Sequence, residues 1–463
     1  MSAPPLQIVI LAAGQGKRMR SSLPKVLQPL GNRPLIRHVL ATAECLLADA
    51  ASASRPVVVY GHGGERLRAA LPDVDCHWAH QVHQRGTGDA VAAALAHVEP
   101  VGRLLVLCGD VPLLRVETLH ALLASPAESL AILTAIVDDP TGYGRILRDA
   151  GGAVRGIVEQ RDADPGQLAV REINTGTLLI PAGRLAGWLG RLDAHNAQGE
   201  LYLTDIVAMA VADGVPVVGV PAAGEAEIMG INDRAQLAQC EREYQRRQAE
   251  RLLADGVTLR DPQRLDVRGE VSVGKDVEID VGVILEGRVE LGDDVRIGAH
   301  CILRDAVVEA GARIEPFSFV DGARIGPHAV IGPYARLRPG TELARDVHVG
   351  NFVELKNSRL AAGAKANHLS YVGDADIGER VNVGAGTITC NYDGANKHRT
   401  IIGDDAFIGS NSALVAPVTI GEGATIGAGS VISREAPPGG LTLTRAPQKS
   451  IPGWQRPRKK TGP

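Results

Sequence analysis

From about residue 265 the chain repeats every six residues, and this period restricts its fold more than any other feature. Val273, Ile279, Leu285, Leu291, Ile297 and Leu303 share one phase, and Val271, Val277, Val283, Val289, Val295 and Cys301 precede them by two. The phase resumes at Phe319, Ile325, Ile331, Leu337, Leu343, Val349 and Leu355. It completes at Ile402, Ile408, Leu414, Ile420, Ile426 and Ile432, with glycine next at 403, 409, 421 and 427. A period of six fits neither a 3.6-residue helix nor a flat amphipathic sheet. It predicts a parallel β-helix, in which each hexapeptide forms one side of a coil and stacked aliphatics fill the centre. The period slips three times, between Leu303 and Phe319, Leu355 and Ile377, and Val383 and Ile402. Each slip is expected to leave the lattice or bulge from it, and the last two contain His368, Tyr371, Asn391 and Tyr392.

The first 230 residues read differently. Leu6–Ala13 is a continuous apolar run ending in glycine, as a buried parallel strand would. A helical pattern over Pro34–Ala50, strands at Val57–Tyr60 and Leu104–Cys108, and helices at Gly64–Leu71 and Gly88–His97 follow. This β-α-β rhythm predicts an α/β, mostly parallel, doubly wound sheet, whose ligands bind beyond the carboxyl ends of the strands. Asp233–Ala254 is polar, free of Gly and Pro, and followed by Gly256, which predicts a helical arm. The expected domains are therefore 1–232, a helical linker 233–256, a β-helix 257–440 and a basic tail 441–463.

Composition supports two halves with different needs. Of 54 glycines, 25 precede residue 231 and 24 lie between 264 and 436, without a collagen period. Only 14 residues are aromatic, as expected where a coil centre has little room for rings. A net charge of −4 gives no reason to expect a nucleic-acid or membrane partner. The six cysteines lie at least 31 positions apart, without metal-ligand or redox spacing, and predict free thiols. The start lacks a basic segment and a long apolar run, so a cytoplasmic location is expected.

After the first strand comes Leu11-Ala12-Ala13-Gly14-Gln-Gly16-Lys-Arg18, then Pro24-Lys25. Glycines let backbone N–H groups approach phosphate, and Arg18 and Lys25 would neutralise its charge. A Gly-x-Gly turn alone is equally a tight turn, and no third glycine completes a dinucleotide fingerprint. Gln81 followed by Gly86-Thr87-Gly88 opens a helix, a place for contacts to a base or an ordinary helix start. Asp110 follows a strand and could hold Mg²⁺ against nucleotide phosphates, or serve as a turn residue. His62 reads as a turn residue, and Asn232 could be a helix cap.

Together with the β-helix, the stretches LAAGQGKRM, LPKVL, QRGTGDA, GDVPL, NAQGELYLTD, RLRPG, VGNFVELKN, KANHLSYVGDADIG and NVGAGTITCNYDGANKH resemble one family. It is that of the bacterial bifunctional N-acetylglucosamine-1-phosphate uridylyltransferases and glucosamine-1-phosphate N-acetyltransferases. The resemblance runs from about Val9 to Lys460 and implies a nucleotidyltransferase domain ahead of a left-handed parallel β-helix. It implies that Leu11, Ala12, Ala13, Gly14, Gln81, Gly86 and Thr87 contact the uridine nucleotide, with Lys25 and Arg18 on its phosphates. Gly144, Glu159, Asn174 and Asn232 would complete the UDP-N-acetylglucosamine site, and Asp110 with Asn232 would hold Mg²⁺. In the second half it implies His368 as general base, oriented by Glu354, with Arg338, Lys356, Tyr371 and Asn382 on the sugar phosphate and amine. Ala385, Asn391, Tyr392, Ser410, Ala428 and Arg445 would line an acetyl-CoA groove, and Arg456, Arg458, Lys459 and Lys460 would screen CoA phosphates or form a solvated run. Glucosamine 1-phosphate, acetyl-CoA and UTP would be the substrates, and a homotrimer the assembly. Asn367 and Cys108 depart from the family pattern. A single-site nucleotidyltransferase with an oligomerising β-helix, and a non-catalytic scaffold, are the alternatives.

Overall fold

The computed structural model describes residues 5–14, 16–61 and 63–457. His62, Arg458, Lys459 and Lys460 lie outside the described residues. The chain forms two compact units, Met1–Tyr244 and Gln245–Pro463. The predicted arm is a helix, Arg234–Ala254, shared between them.

The first unit is built on a nine-stranded sheet of β1 (Leu6–Leu11), β2 (Val57–Tyr60), β3 (His77–His80), β4 (Arg103–Cys108), β5 (Leu130–Ile136), β6 (Arg145–Arg148), β7 (Val154–Val158), β8 (Glu172–Pro181) and β9 (Val217–Pro221). The order is β9-β5-β8-β4-β1-β2-β3, with the β6–β7 hairpin attached to β8. Pairings are parallel except where β8 runs against β4, β5 and β6 and within the hairpin. Alternate residues of β1 serve opposite faces. Ile8 and Ile10 pack with Ile36 and Leu40 on one side, and Val9 packs with Val57 and Val91 on the other. Burial on both faces explains why β1 reads as an unbroken apolar run. The first helix is Leu35–Asp49, with Pro34 at its N-cap.

The second unit is a parallel β-helix. One column of core residues runs Ile279, Ile297, Ile314, Ile331, Val349, Ala366, Val383, Ile408 and Ile426, each paired with the next and at most 4% exposed. The steps are 17 or 18 residues, apart from 25 between Val383 and Ile408. This corrects the expectation for the slips. The first two do not leave the lattice; they are coils one residue shorter than three hexapeptides, the residue being dropped at a corner. Glu286 pairs with Arg304 but Val289 with Ala306, so the single Asp305 turns a corner where the previous coil uses two residues. The dropped residue also shifts the phase: Val320, not Phe319, enters the core after Leu303. Only the third slip carries an insertion, the loop through Tyr392 and Lys397, which form a bridge. Rings stay outside the coil. His300, Phe317, Tyr334 and Phe352 stack along one corner with centroids 5.0–5.3 Å apart. Pairing continues past 440, since Leu441–Thr442 adds to Thr425–Ile426.

Candidate active sites

At the carboxyl ends of β1 and β4, Leu11, Ala12, Ala13, Gly14, Lys25, Gln81, Gly86, Thr87 and Asp110 line one cleft of about 380 Å³. Gly16 has φ +58, and a Cβ there would lie 2.6 Å from Cβ of Lys25, so only glycine lets the loop close over this lysine. Gly14 has nothing within 4 Å of its missing side chain, which leaves its backbone open to a ligand. Lys25 donates to Oδ2 of Asp110 at 2.5 Å and to Oδ1 of Asn232 at 3.1 Å. The alternative reading of Asn232 as the cap is overturned, because Asp233 accepts from Gln236 N at 2.9 Å and so caps the helix. Asn232 is left with its side chain toward Lys25, and its loop is held to Asp110 by the hydrogen bond from Ile231 N to Asp110 O.

Two oxygens converging on one cation form a donor set suited to a hard divalent ion. Among the described residues no cluster of three or more His, Cys, Asp or Glu could hold a metal. Further ligands would have to be phosphate and water, as is usual for Mg²⁺.

Gln81 is buried and donates to Gly86 O at 3.1 Å and Asp89 at 3.0 Å, while the Thr87 hydroxyl accepts from Leu203 N. Both side chains shape the cleft wall. Arg18 is exposed on a 3-10 turn. Gly144, Glu159 and Asn174 come together: Asn174 N donates to Gly144 O, and a Cβ on Gly144 would crowd the Glu159 carboxylate at 3.3 Å. Burial raises the pKa of Glu159, opposed by the Thr204 hydroxyl and reinforced by Asp205, Asp162 and Glu200. Burial also pushes the Cys108 thiol up to about 12, so it is a neutral wall residue here.

In the β-helix, Asn351 and His368 are partners on successive coils. Gly386 N then reaches His368 O, Asn411 N reaches Ala385 O, and Gly429 N reaches Ser410 O. These bonds, with the Val383–Ile408–Ile426 register, stack His368, Ala385, Ser410 and Ala428 in one column. Arg445 ends it, its Nη2 lying 3.4 Å from where a Cβ on Gly427 would be. Exposed Tyr392 sits on the inserted loop.

Around the next corner, Tyr371 pairs with Glu354 across the strands. Asp374 gathers the polar groups. It accepts from Asn357 at 2.6 Å and Asn391 at 2.5 Å, and Lys356 Nζ lies at 3.9 Å. Burial alone would raise its pKa, but these three partners hold it below the usual carboxylate value. Lys397 is lowered by its contact with Lys356, a concentration of positive charge suited to phosphate. Asn382 lies beside Lys365 on the adjoining strand.

One assignment fails: Glu354 accepts from Arg338 at 2.9 Å and lies 3.6 Å from Arg336, while the hydrogen-bond partner of the His368 ring is Oδ1 of Asn351 at 2.7 Å. Asn351, Asn357, Asp374 and Lys397 were missed by sequence reasoning. For Asn351 the signal was a spacing of 17 before His368, legible only once the length of that coil is known.

The fold and the two constellations define a class: a nucleotide-binding α/β unit and a hexapeptide-repeat transferase unit in one chain. Residues 8–176 match the MobA-like NTP transferase domain, 267–357 the GMPPB C-terminal domain and 399–434 the bacterial transferase hexapeptide (six repeats). The chain is 59% identical over 455 residues to the bifunctional protein GlmU of Azoarcus sp. (strain BH72), covering 98% of this chain and 100% of that protein. It is 57% identical to the protein of that name from Ralstonia nicotianae (98% and 99% covered) and 54% identical to that from Chromobacterium violaceum (99% and 99%). The chain belongs to the family of bifunctional GlmU proteins. It is accordingly both an N-acetylglucosamine-1-phosphate uridylyltransferase and a glucosamine-1-phosphate N-acetyltransferase.

Proposed function

We propose that acetyl transfer takes place on the β-helix column and uridylyl transfer in the α/β cleft, in that order, giving UDP-N-acetylglucosamine. In the first step His368 takes a proton from the amine of glucosamine 1-phosphate. The amine nitrogen forms the amide bond to the acetyl carbonyl carbon, the thioester C–S bond breaks, and coenzyme A leaves. Lys356 and Arg338 hold the phosphate, Tyr371 and Asn382 the sugar, and Ala385, Asn391, Tyr392, Ser410, Ala428 and Arg445 the acetyl-CoA. In the second step a phosphate oxygen of N-acetylglucosamine 1-phosphate attacks the α-phosphorus of UTP, and pyrophosphate departs.

That reaction needs in-line placement and neutralised charge more than covalent help. Lys25 and Arg18 supply positive charge. Leu11, Ala12, Ala13, Gly14, Gln81, Gly86 and Thr87 seat the nucleotide, and Gly144, Glu159 and Asn174 the sugar. Asp110 and Asn232 would hold Mg²⁺, which would screen the charge on the phosphates. The observation that carries this reading is that each compact unit gathers its own polar constellation, one on Lys25 and one along the His368 column.

The exposure of His368 in a single chain is consistent with a homotrimer whose neighbouring subunit closes the acetyl site. No helix among the described residues is long and apolar enough to cross a membrane. With both co-substrates being cytoplasmic metabolites, we place the enzyme in the cytoplasm.

The test is an assay with glucosamine 1-phosphate, acetyl-CoA, UTP and Mg²⁺, each omitted in turn, on wild type and His368→Ala. CoA release should vanish in the variant, while pyrophosphate release from UTP persists when N-acetylglucosamine 1-phosphate is supplied directly. CoA release at the wild-type rate would sink the role given to His368.

A further inference from the structure

His368 is exposed, yet one of its ring nitrogens is fixed: Nδ1 lies 2.7 Å from Oδ1 of Asn351. The contact follows from the coil. Each residue stands just before a left-handed corner, Phe352 at φ 57 and Leu369 at φ 51, so both side chains leave the lattice at the same place. They are one coil apart, about 4.8 Å. The backbone is pinned at both levels, by Leu369 N donating to Asn351 O at 3.1 Å and by the Ser370 hydroxyl donating to His368 O at 2.9 Å. An amide oxygen only accepts, so the nitrogen facing it carries the proton, and a neutral ring then has its free lone pair on Nε2.

We propose that Asn351 is the positioning residue for His368, holding the neutral imidazole in the Nδ1–H tautomer with Nε2 turned outward as the base. The proposal rests on the reading of His368 as general base. No carboxylate takes this place, because Glu354 is engaged by Arg338 and Arg336. An amide orients the ring without adding a negative charge beside it.

Two near-isosteric replacements separate orientation from shape. Asn351→Asp keeps an acceptor, whereas Asn351→Leu removes it. The readouts are ¹⁵N imidazole spectra of histidine-labelled full-length protein, with the His368 signal identified by its loss in His368→Gln, and acetyl-transfer kinetics. Thermal unfolding checks that the coil is intact. Wild type and Asn351→Asp should show the Nδ1–H tautomer, and Asn351→Leu a mixture. In Asn351→Leu, kcat should fall by roughly 10²-fold, the scale of general-base assistance, with KM for acetyl-CoA unchanged and activity retained by Asn351→Asp. An unchanged tautomer in Asn351→Leu, or equal loss of kcat in both variants, would overturn the proposal. Full acetyl transfer by His368→Gln would instead remove the base on which it rests, whatever the spectra show.

Discussion

Lys25 touches two oxygens contributed by residues 122 positions apart in the chain, Asp110 and Asn232. Its candidacy was legible from its type and its place after Pro24; what it touches was not, because only the fold brings the loop before the long helix back onto the end of β4. Replacing Lys25 by Met should lower uridylyl transfer at least 10²-fold, measured as pyrophosphate release, and leave CoA release at the wild-type level. Glu159 shows the other side of function. Its folded pKa lies above the unfolded value, so its ionised form opposes folding at neutral pH, and that penalty disappears as pH falls through the folded pKa. Glu159→Gln should therefore be at least as stable as wild type at pH 7, with the difference closing toward about pH 4, while KM for N-acetylglucosamine 1-phosphate rises. Denaturant unfolding across that range checks the sign. Asp374 has the opposite sign, since its folded pKa is depressed. Asp374→Asn should be less stable than wild type at pH 7, and the gap should close only below about pH 4.

At the scale of the element, the hexapeptide lattice was readable because the stacked core tolerates only aliphatic side chains at fixed intervals. Coil length was not readable, because a corner can drop one residue without changing which neighbours are apolar. Phe319 was misassigned for that reason: its neighbour Val320 is equally apolar, and only strand pairing shows which of them faces inward. Glycines following the core positions mark close approach between coils. A Cβ on Gly409 would sit 2.5 Å from Ala428 N and 2.6 Å from Ile426 O, both backbone atoms of the next coil. Gly409→Ala should lower stability by about 1–3 kcal/mol, the range for overpacking, and weaken acetyl-CoA binding because Ser410 and Ala428 flank the strain. Calorimetry of the variant, with the KM for acetyl-CoA, tests both.

For the whole molecule, each set of proposed catalytic groups lies within one compact unit, so the two reactions should be separable by mutation. A mixture of Lys25→Met and His368→Ala proteins should make UDP-N-acetylglucosamine from glucosamine 1-phosphate, acetyl-CoA and UTP, although neither does alone. The acetylated intermediate would have to diffuse between molecules, and failure of the mixture would mean that it cannot.

The amino-acid pattern by itself determined the two architectures and most of the chemistry-bearing residue types, since apolar period and glycine placement are local properties of the chain. It located Lys25, Asp110, His368 and Tyr371 at the ends and corners of elements, where side chains escape the core. Tertiary structure alone decided their partners: Asn232 on Lys25, Asn351 on His368, and Asp374 between Lys356 and Asn391. Those contacts depend on how many residues each turn consumes and on which distant loops converge, and the linear pattern carries neither quantity.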